Sequence, residues 1–189
     1  MKNKWIGLIL LFLVGCSDYI PKPYGYPRIE YPEKVYKSAD PLAPFTFDIP
    51  TYALLIPDTG ANAEDYWYNL QFPKFNATFH LSYKPIQTAE NLNGYIEDSR
   101  KLVFKHTIKA EEIEERSIAD TSVDVYGMLY DLYGETATPL NLYLTDRNDH
   151  FVRGAFYFNA RTEKDSILPV QKFLKKDIIH LIESFRWKD

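Results

Sequence analysis

Between Asn76 and Lys84, Ala77, Phe79, Leu81 and Tyr83 fall on one side of the chain and Thr78, His80 and Ser82 on the other. This period of two predicts a half-buried strand. The same rhythm opens at Phe45, Phe47 and Ile49, set against Thr46 and Asp48. Further strands are predicted over 66–72, 123–133, 139–145 and 150–159. The turn-forming TDRND at 145–149 joins the last two as a hairpin. Two segments switch to helical spacing. In 90–106, Leu92, Tyr95, Ile96, Leu102 and Val103 share a stripe opposite Glu97, Asp98, Arg100, Lys101 and Lys105. In 167–185, Val170, Leu174, Ile178, Leu181, Ile182 and Phe185 form a longer one, with Pro169 suited to a first turn and Asp165 or Ser166 as cap. Strands, helix, strands, helix is an α+β pattern: a single domain whose antiparallel β-sheet is covered by two amphipathic helices.

The N-terminus follows a different rule. Lys2 and Lys4 precede an apolar run, Trp5 to Val14, too short to span a bilayer and of the size of a secretory signal core. It stops at Leu13-Val14-Gly15-Cys16, which matches the bacterial lipobox, with the only cysteine of the 189-residue chain at its end. Residues 1–15 are thus expected to be a lipoprotein signal peptide and Cys16 the lipidated, palmitate-bearing N-terminus, anchoring the mature chain stably to a membrane. Seven of the twelve prolines, at 21, 23, 27, 32, 41, 44 and 50, lie in or just beyond the next stretch. Residues 16–44 therefore read as an extended strap and 45–189 as the domain. Tyr19, Tyr24, Tyr26, Tyr31 and Tyr36 are too many aromatics for a solvated linker. They lie either across the domain's own surface or in a partner's groove.

Without Lys2 and Lys4 the chain carries 20 basic against 26 acidic side chains, a net of −6. That balance, with no basic run, argues against nucleic acid as a partner. Motifs for chemistry do not stand out: no pair of the four histidines has metal-ligand spacing, and there is no GxSxG and no phosphate-cradling glycine loop. The reading is no enzyme, no cofactor and no metal. KAEEIEER at 109–116 is a solvated loop or a charge-guarded sheet edge. Asp165-Ser166-Ile167 fits an O-glycosylation pattern of periplasmic proteins, so Ser166 is a glycosylation candidate as well as a cap. Tyr66-Trp67-Tyr68 and Tyr126, Tyr130 and Tyr133 serve either as core or as a surface for stacking on sugar rings or partners.

The blocks PKPYGYPRIEYP (21–32), LQFPKFNATFHLSYKPI (70–86), VYGMLYDLYG (125–134), YLTDRNDHFVRGAFYF (143–158) and DSILPVQKFLKKDIIHLIESFRW (165–187), in order behind a lipobox, resemble the GldD family of gliding-motility lipoproteins of Bacteroidota. The resemblance implies a periplasm-facing accessory of the gliding machinery, on the outer or inner membrane and linked to type IX secretion. It implies partners among the proteins of that machinery and no catalytic set. Tyr24, Tyr26 and Arg28 are the strap residues expected to bind such a partner. The order of elements also resembles the Mog1/PsbP-like fold. The alternative function is a periplasmic lipoprotein that binds, or hydrolyses, cell-wall material or polysaccharide through its tyrosine-rich surface.

Overall fold

The computed structural model describes residues 29–105, 110–134, 136–159 and 164–188, with side chains from 167 onward in the last segment. Seven strands form one antiparallel sheet: β3 (Leu54–Pro57), β4 (Tyr68–Phe72), β5 (Ala77–Pro85), β9 (His150–Phe158), β8 (Leu140–Thr145), β7 (Val125–Gly134) and β6 (Ala110–Asp120), in that spatial order. A second sheet has the order β1 (Tyr36–Ala39), β2 (Phe45–Pro50), β10 (Arg186–Trp187). The helices are α1 (Ala89–Lys105) and α2 (Lys164–Ser184). This is the α+β arrangement that the hydrophobic pattern predicts.

Alternation explains the layering. Successive strand residues point to opposite faces. Phe151 of β9 lies 5.4 Å, centroid to centroid, from Tyr95 of α1. Its neighbour Val152 is fully buried in the main core with Leu174, Ile178 and Leu181 of α2. The two helices therefore take opposite faces of the large sheet. Phe45, Phe47 and Ile49 bring the small sheet into that same core, where Phe45 and Phe47 stack on Phe185. On the other face, Val103 of α1 meets Tyr130 and Leu132 in a smaller cluster. Glycine is required at one crossing of β5 and β9: a Cβ on Gly154 would stand 2.2 Å from Cζ of Phe79.

The predicted hairpin is present. One carboxylate organises its turn, with Asp146 Oδ1 accepting from the N–H groups of Asn148, Asp149 and His150 at 2.9–3.0 Å. Thr88 caps α1, its Oγ1 accepting the Asn91 N–H at 3.2 Å.

Two findings depart from the sequence reading, and a third decides between its alternatives. Residues 36–39 of the strap form β1, paired with β2 from Tyr36↔Pro50 to Ala39↔Phe47. The nearest prolines, 32 and 41, flank those four residues, so no ladder donor is lost. Of the two readings of KAEEIEER, the edge is the one realised: β6 pairs with β7 over Ala110–Asp120 while most of its side chains remain exposed. And α2 begins at Lys164, which puts Asp165 and Ser166 inside its first turn rather than at a cap and Pro169 within the helix.

Candidate interaction site

The strap meets the domain along one side of α2. Phe173, Asp177 and His180 are spaced four and three apart, which places them on one helical face. Tyr31 stacks on Phe173 at 4.4 Å, and Tyr36 stacks on His180 at 3.7 Å. Between these aromatic contacts sits Asp177, 1% exposed. Its Oδ1 lies 2.7 Å from the Lys34 ammonium and accepts from the Tyr36 hydroxyl at 3.0 Å. Its Oδ2 accepts from the Tyr52 hydroxyl at 2.5 Å. Lys34 also donates to the Tyr52 hydroxyl and to the Phe173 carbonyl, both at 2.9 Å, with its ammonium 3.4 Å from the Phe173 ring centre.

Burial shapes the acid–base character of this knot. Desolvation first, and then the Asp177 carboxylate, push the Tyr36 hydroxyl up to about 12, and the same causes push Tyr52 up further. Desolvation of the Lys34 ammonium outweighs the pull of Asp177 and lowers its pKa. The knot is thus a buried carboxylate saturated by one cation and two hydroxyl donors. It fixes the strap to the domain at residues 31–36.

Where β1 ends, the chain passes into the second part of the site. Asp40–Pro44 forms a loop whose Leu42 is 89% exposed. With Pro41, Pro44, Tyr66, Tyr83 and Lys188 it lines a hollow of about 580 Å³. A second hollow of about 540 Å³ shares Tyr66 and Tyr83 and adds Glu64, Asp65 and Pro85. The two tyrosines meet edge to face at 5.6 Å. Tyr66 adopts a φ of 64°, an uncommon backbone state for a bulky residue and one that costs free energy, of the kind concentrated at functional sites.

Behind the cleft the polar groups are committed to one another. The Tyr83 hydroxyl is bonded to His150 Nδ1 at 2.8 Å, and His150 stacks on Trp187 at 5.2 Å. Glu64 is ion-paired with Lys84, which also lies over the Trp67 ring. Asp40 is paired with Lys188. Burial, then the carboxylates of Asp146 and Asp149, raise the Tyr83 pKa. What remains available is the Asp65 carboxylate beside a stacking and apolar surface made of Leu42, Tyr66 and three prolines.

The candidates from sequence fare unevenly. Cys16, Tyr24, Tyr26 and Arg28 lie outside the described residues. Ser166 falls in the first turn of α2, and its side chain lies outside them too. The Tyr66-Trp67-Tyr68 run is divided: Tyr68 is buried, Trp67 is half-buried with its indole N–H on the Tyr83 carbonyl, and Tyr66 is exposed. Tyr130 is core, and Tyr126 lies under the Arg147 guanidinium. Tyr133 is bonded to Asp131 and Glu114. Among the described residues no three His, Cys, Asp or Glu side chains stand together as metal ligands. Asp177, Lys34, Tyr52 and Leu42 are not singled out by the sequence reading. Only the spacing of Phe173, Asp177 and His180 offered a signal.

Comparison with known proteins adds three findings. A family model described as "Gliding motility lipoprotein GldD" matches residues 16–187. No curated protein matches the chain. Among solved structures, the chain is similar to the solution structure of cyanobacterial PsbP (CyanoP) from Synechocystis sp. PCC 6803, with 11% sequence identity and a TM-score of 0.50. The similarity covers 88% of this chain and 99% of that one. The fold is therefore PsbP-like.

Proposed function

The chain belongs to the gliding motility lipoprotein GldD family, and on that premise we propose that it is a non-enzymatic assembly component which docks a machinery protein on the Leu42–Tyr66 cleft. Membership makes it a membrane-anchored lipoprotein of the cell envelope acting in gliding motility. The finer reading is that the domain faces the periplasm, on the outer or inner membrane, and that its partners connect gliding to type IX secretion. The observation that carries the docking role is the contrast within the cleft. Its apolar groups are exposed, Leu42 at 89% and Tyr66 at 44%, while Glu64, Asp40, Tyr83 and His150 are each engaged by a neighbour. Tyrosine is enriched among the few residues that dominate binding energies at protein interfaces, and an exposed leucine beside it adds apolar area to bury. That the family match begins at Cys16 supports lipid anchoring there.

Replacing both anchors, Leu42→Ser with Tyr66→Ser, is expected to leave the melting temperature unchanged and to abolish spreading of cells that carry the variant as their only copy. An anchor is worth about 2 kcal/mol, roughly 30-fold in affinity. Secretion of a type IX cargo should fall in parallel. Normal spreading with the variant at wild-type abundance would rule the cleft out as the docking surface. The Tyr66–Tyr83 pair also suits stacking on a sugar ring, which keeps cell-wall binding as the second reading. Calorimetric titration of the full chain with soluble peptidoglycan fragments separates the two, since partner docking predicts no heat above dilution.

A further inference from the structure

The two ends of the seven-stranded sheet are built by different rules. At one end β6 carries Glu111, Glu112, Glu114, Glu115 and Arg116 along its edge, a pattern that discourages pairing with another chain. At the other end β3 reads Leu-Leu-Ile-Pro and has no charged residue. Leu54 is 52% and Ile56 38% exposed, two apart and hence on one face. Among the described residues β4 is the only neighbour of β3, which leaves its outer edge unpaired there. Among the same residues β2 alone lies beside β1, whose outer edge is likewise unpaired. A cleft of about 390 Å³ is lined by both strands, Lys37, Ser38 and Ala39 from β1 and Leu54 and Leu55 from β3, over Ile49, Ala53 and Tyr68. Two unpaired strand edges thus open on one side of the domain.

Charge gives this side a direction. Lys37 pairs across to Ile49, next to the turn that leads into Leu54. Asp40 follows β1 and Asp58 follows β3 at the opposite end, where Tyr68, the partner of Pro57, is bonded to the Leu42 main chain. The side is therefore basic at one end, apolar in the middle and, with Asp40 already paired to Lys188, acidic through Asp58 at the other. A two-fold axis through the middle matches such a surface to itself, bringing Lys37 of each copy to the Asp58 end of the other.

We propose that the occupant of this edge is a second copy of the same chain, added antiparallel so that β3 pairs with β3 of its partner and the large sheet runs on through both. The register is set by the exposed apolar pair. With Leu55 at the axis, Leu54 lies opposite Ile56 of the other copy and the two side chains share one face, the cross-strand contact that stabilises antiparallel pairs. Both copies are held at a membrane, which raises the effective concentration of one for the other beyond what four-residue strands would need in free solution. Leu42 and Tyr66 do not line this cleft, although Asp40 and Pro41 line both it and theirs.

Paired cysteines in the full-length lipoprotein, in native membranes, read the register directly. The chain's only natural cysteine is Cys16, the lipid site, so introduced thiols have no background. One copy carries Leu54→Cys and a differently tagged copy Ile56→Cys. Directly opposite residues in a sheet lie within disulfide range, whereas two copies of Leu54→Cys, or two of Ile56→Cys, would hold their Cα atoms about 8 Å apart. The proposal predicts a disulfide-linked dimer several-fold more abundant when the two variants are made together than with either alone. It also predicts that Leu54→Glu with Ile56→Glu, on exposed positions, stops capture of one tagged copy by the other while leaving the melting temperature intact. Equal dimer from either single variant, no dimer from the pair, or a disulfide from these positions to a different protein only would each overturn it.

Discussion

Replacing Asp177 with alanine is expected to lower the melting temperature by about 4–12 °C and to release the strap from the domain. The carboxylate is 1% exposed and holds one ammonium and two hydroxyls. Its loss leaves Lys34 pressed against Phe173 with no counter-charge and strips Tyr36 and Tyr52 of their acceptor. Breaking a fully buried pair costs about 3–5 kcal/mol. The Lys34 side chain is 24% exposed and regains some hydration, so about 2–3 kcal/mol is the expectation here. At this chain length each kcal/mol shifts the midpoint by about 2–4 °C. Asp177→Asn keeps an acceptor of the same shape and should cost less. Hydrogen exchange localises the effect: amides of 31–39 should lose protection in the alanine variant while those of β5 and β9 keep theirs. An unchanged midpoint with a protected strap would show that the aromatic stacking alone holds residues 31–36.

Gly154→Ala is the second large effect, expected to cost about 2–3 kcal/mol, the range of an overpacked core. The new methyl would lie 2.2, 2.9 and 3.0 Å from three carbons of the Phe79 ring, which is completely buried. The ring belongs to β5, an interior strand of the sheet, and has no solvent to move into. Shortening it should therefore help: Phe79→Leu in the alanine background is expected to cost at least about 1 kcal/mol less than it does in the natural sequence. Urea unfolding of the four proteins closes this cycle, and additive effects would place the strain elsewhere.

How far the sequence could be read depended on whether a residue's environment is written in its neighbours. β5 was legible because one side faces the core, so Phe79 and Leu81 alternate with His80 and Ser82. The hairpin at 145–149 was legible because a single aspartate supplies its turn bonds. β6 was legible only as one of two readings, loop or guarded edge, since most of its side chains meet solvent and no apolar rhythm marks it. β1 hid among prolines that flank its paired residues. α2 was placed correctly, but its first turn was assigned to a cap because the residues that would fill a cap, Asp165 and Ser166, lie within it. At the site, Tyr66 stood out as part of an aromatic run, yet nothing local says that Tyr68 turns inward while Tyr66 turns out. Asp177 is the deepest omission. A lone aspartate among helix lysines reads as solvated surface, and its partners Lys34, Tyr36 and Tyr52 lie more than a hundred positions away.

On the docking role proposed above, the machinery uses the shape of the cleft and not its acid–base chemistry. Gliding of cells carrying E64Q, D65N, Y83F and H150F together tests this most directly. The variant removes every titratable group of the two hollows except Asp40, Lys188 and the anchor Tyr66 itself, and keeps a ring on Trp187. The lost Glu64–Lys84 pair is exposed and worth about 0–1 kcal/mol. With the variant at wild-type abundance, the account predicts wild-type spreading. Spreading lost at that abundance would contradict it and make the cleft a site of chemistry.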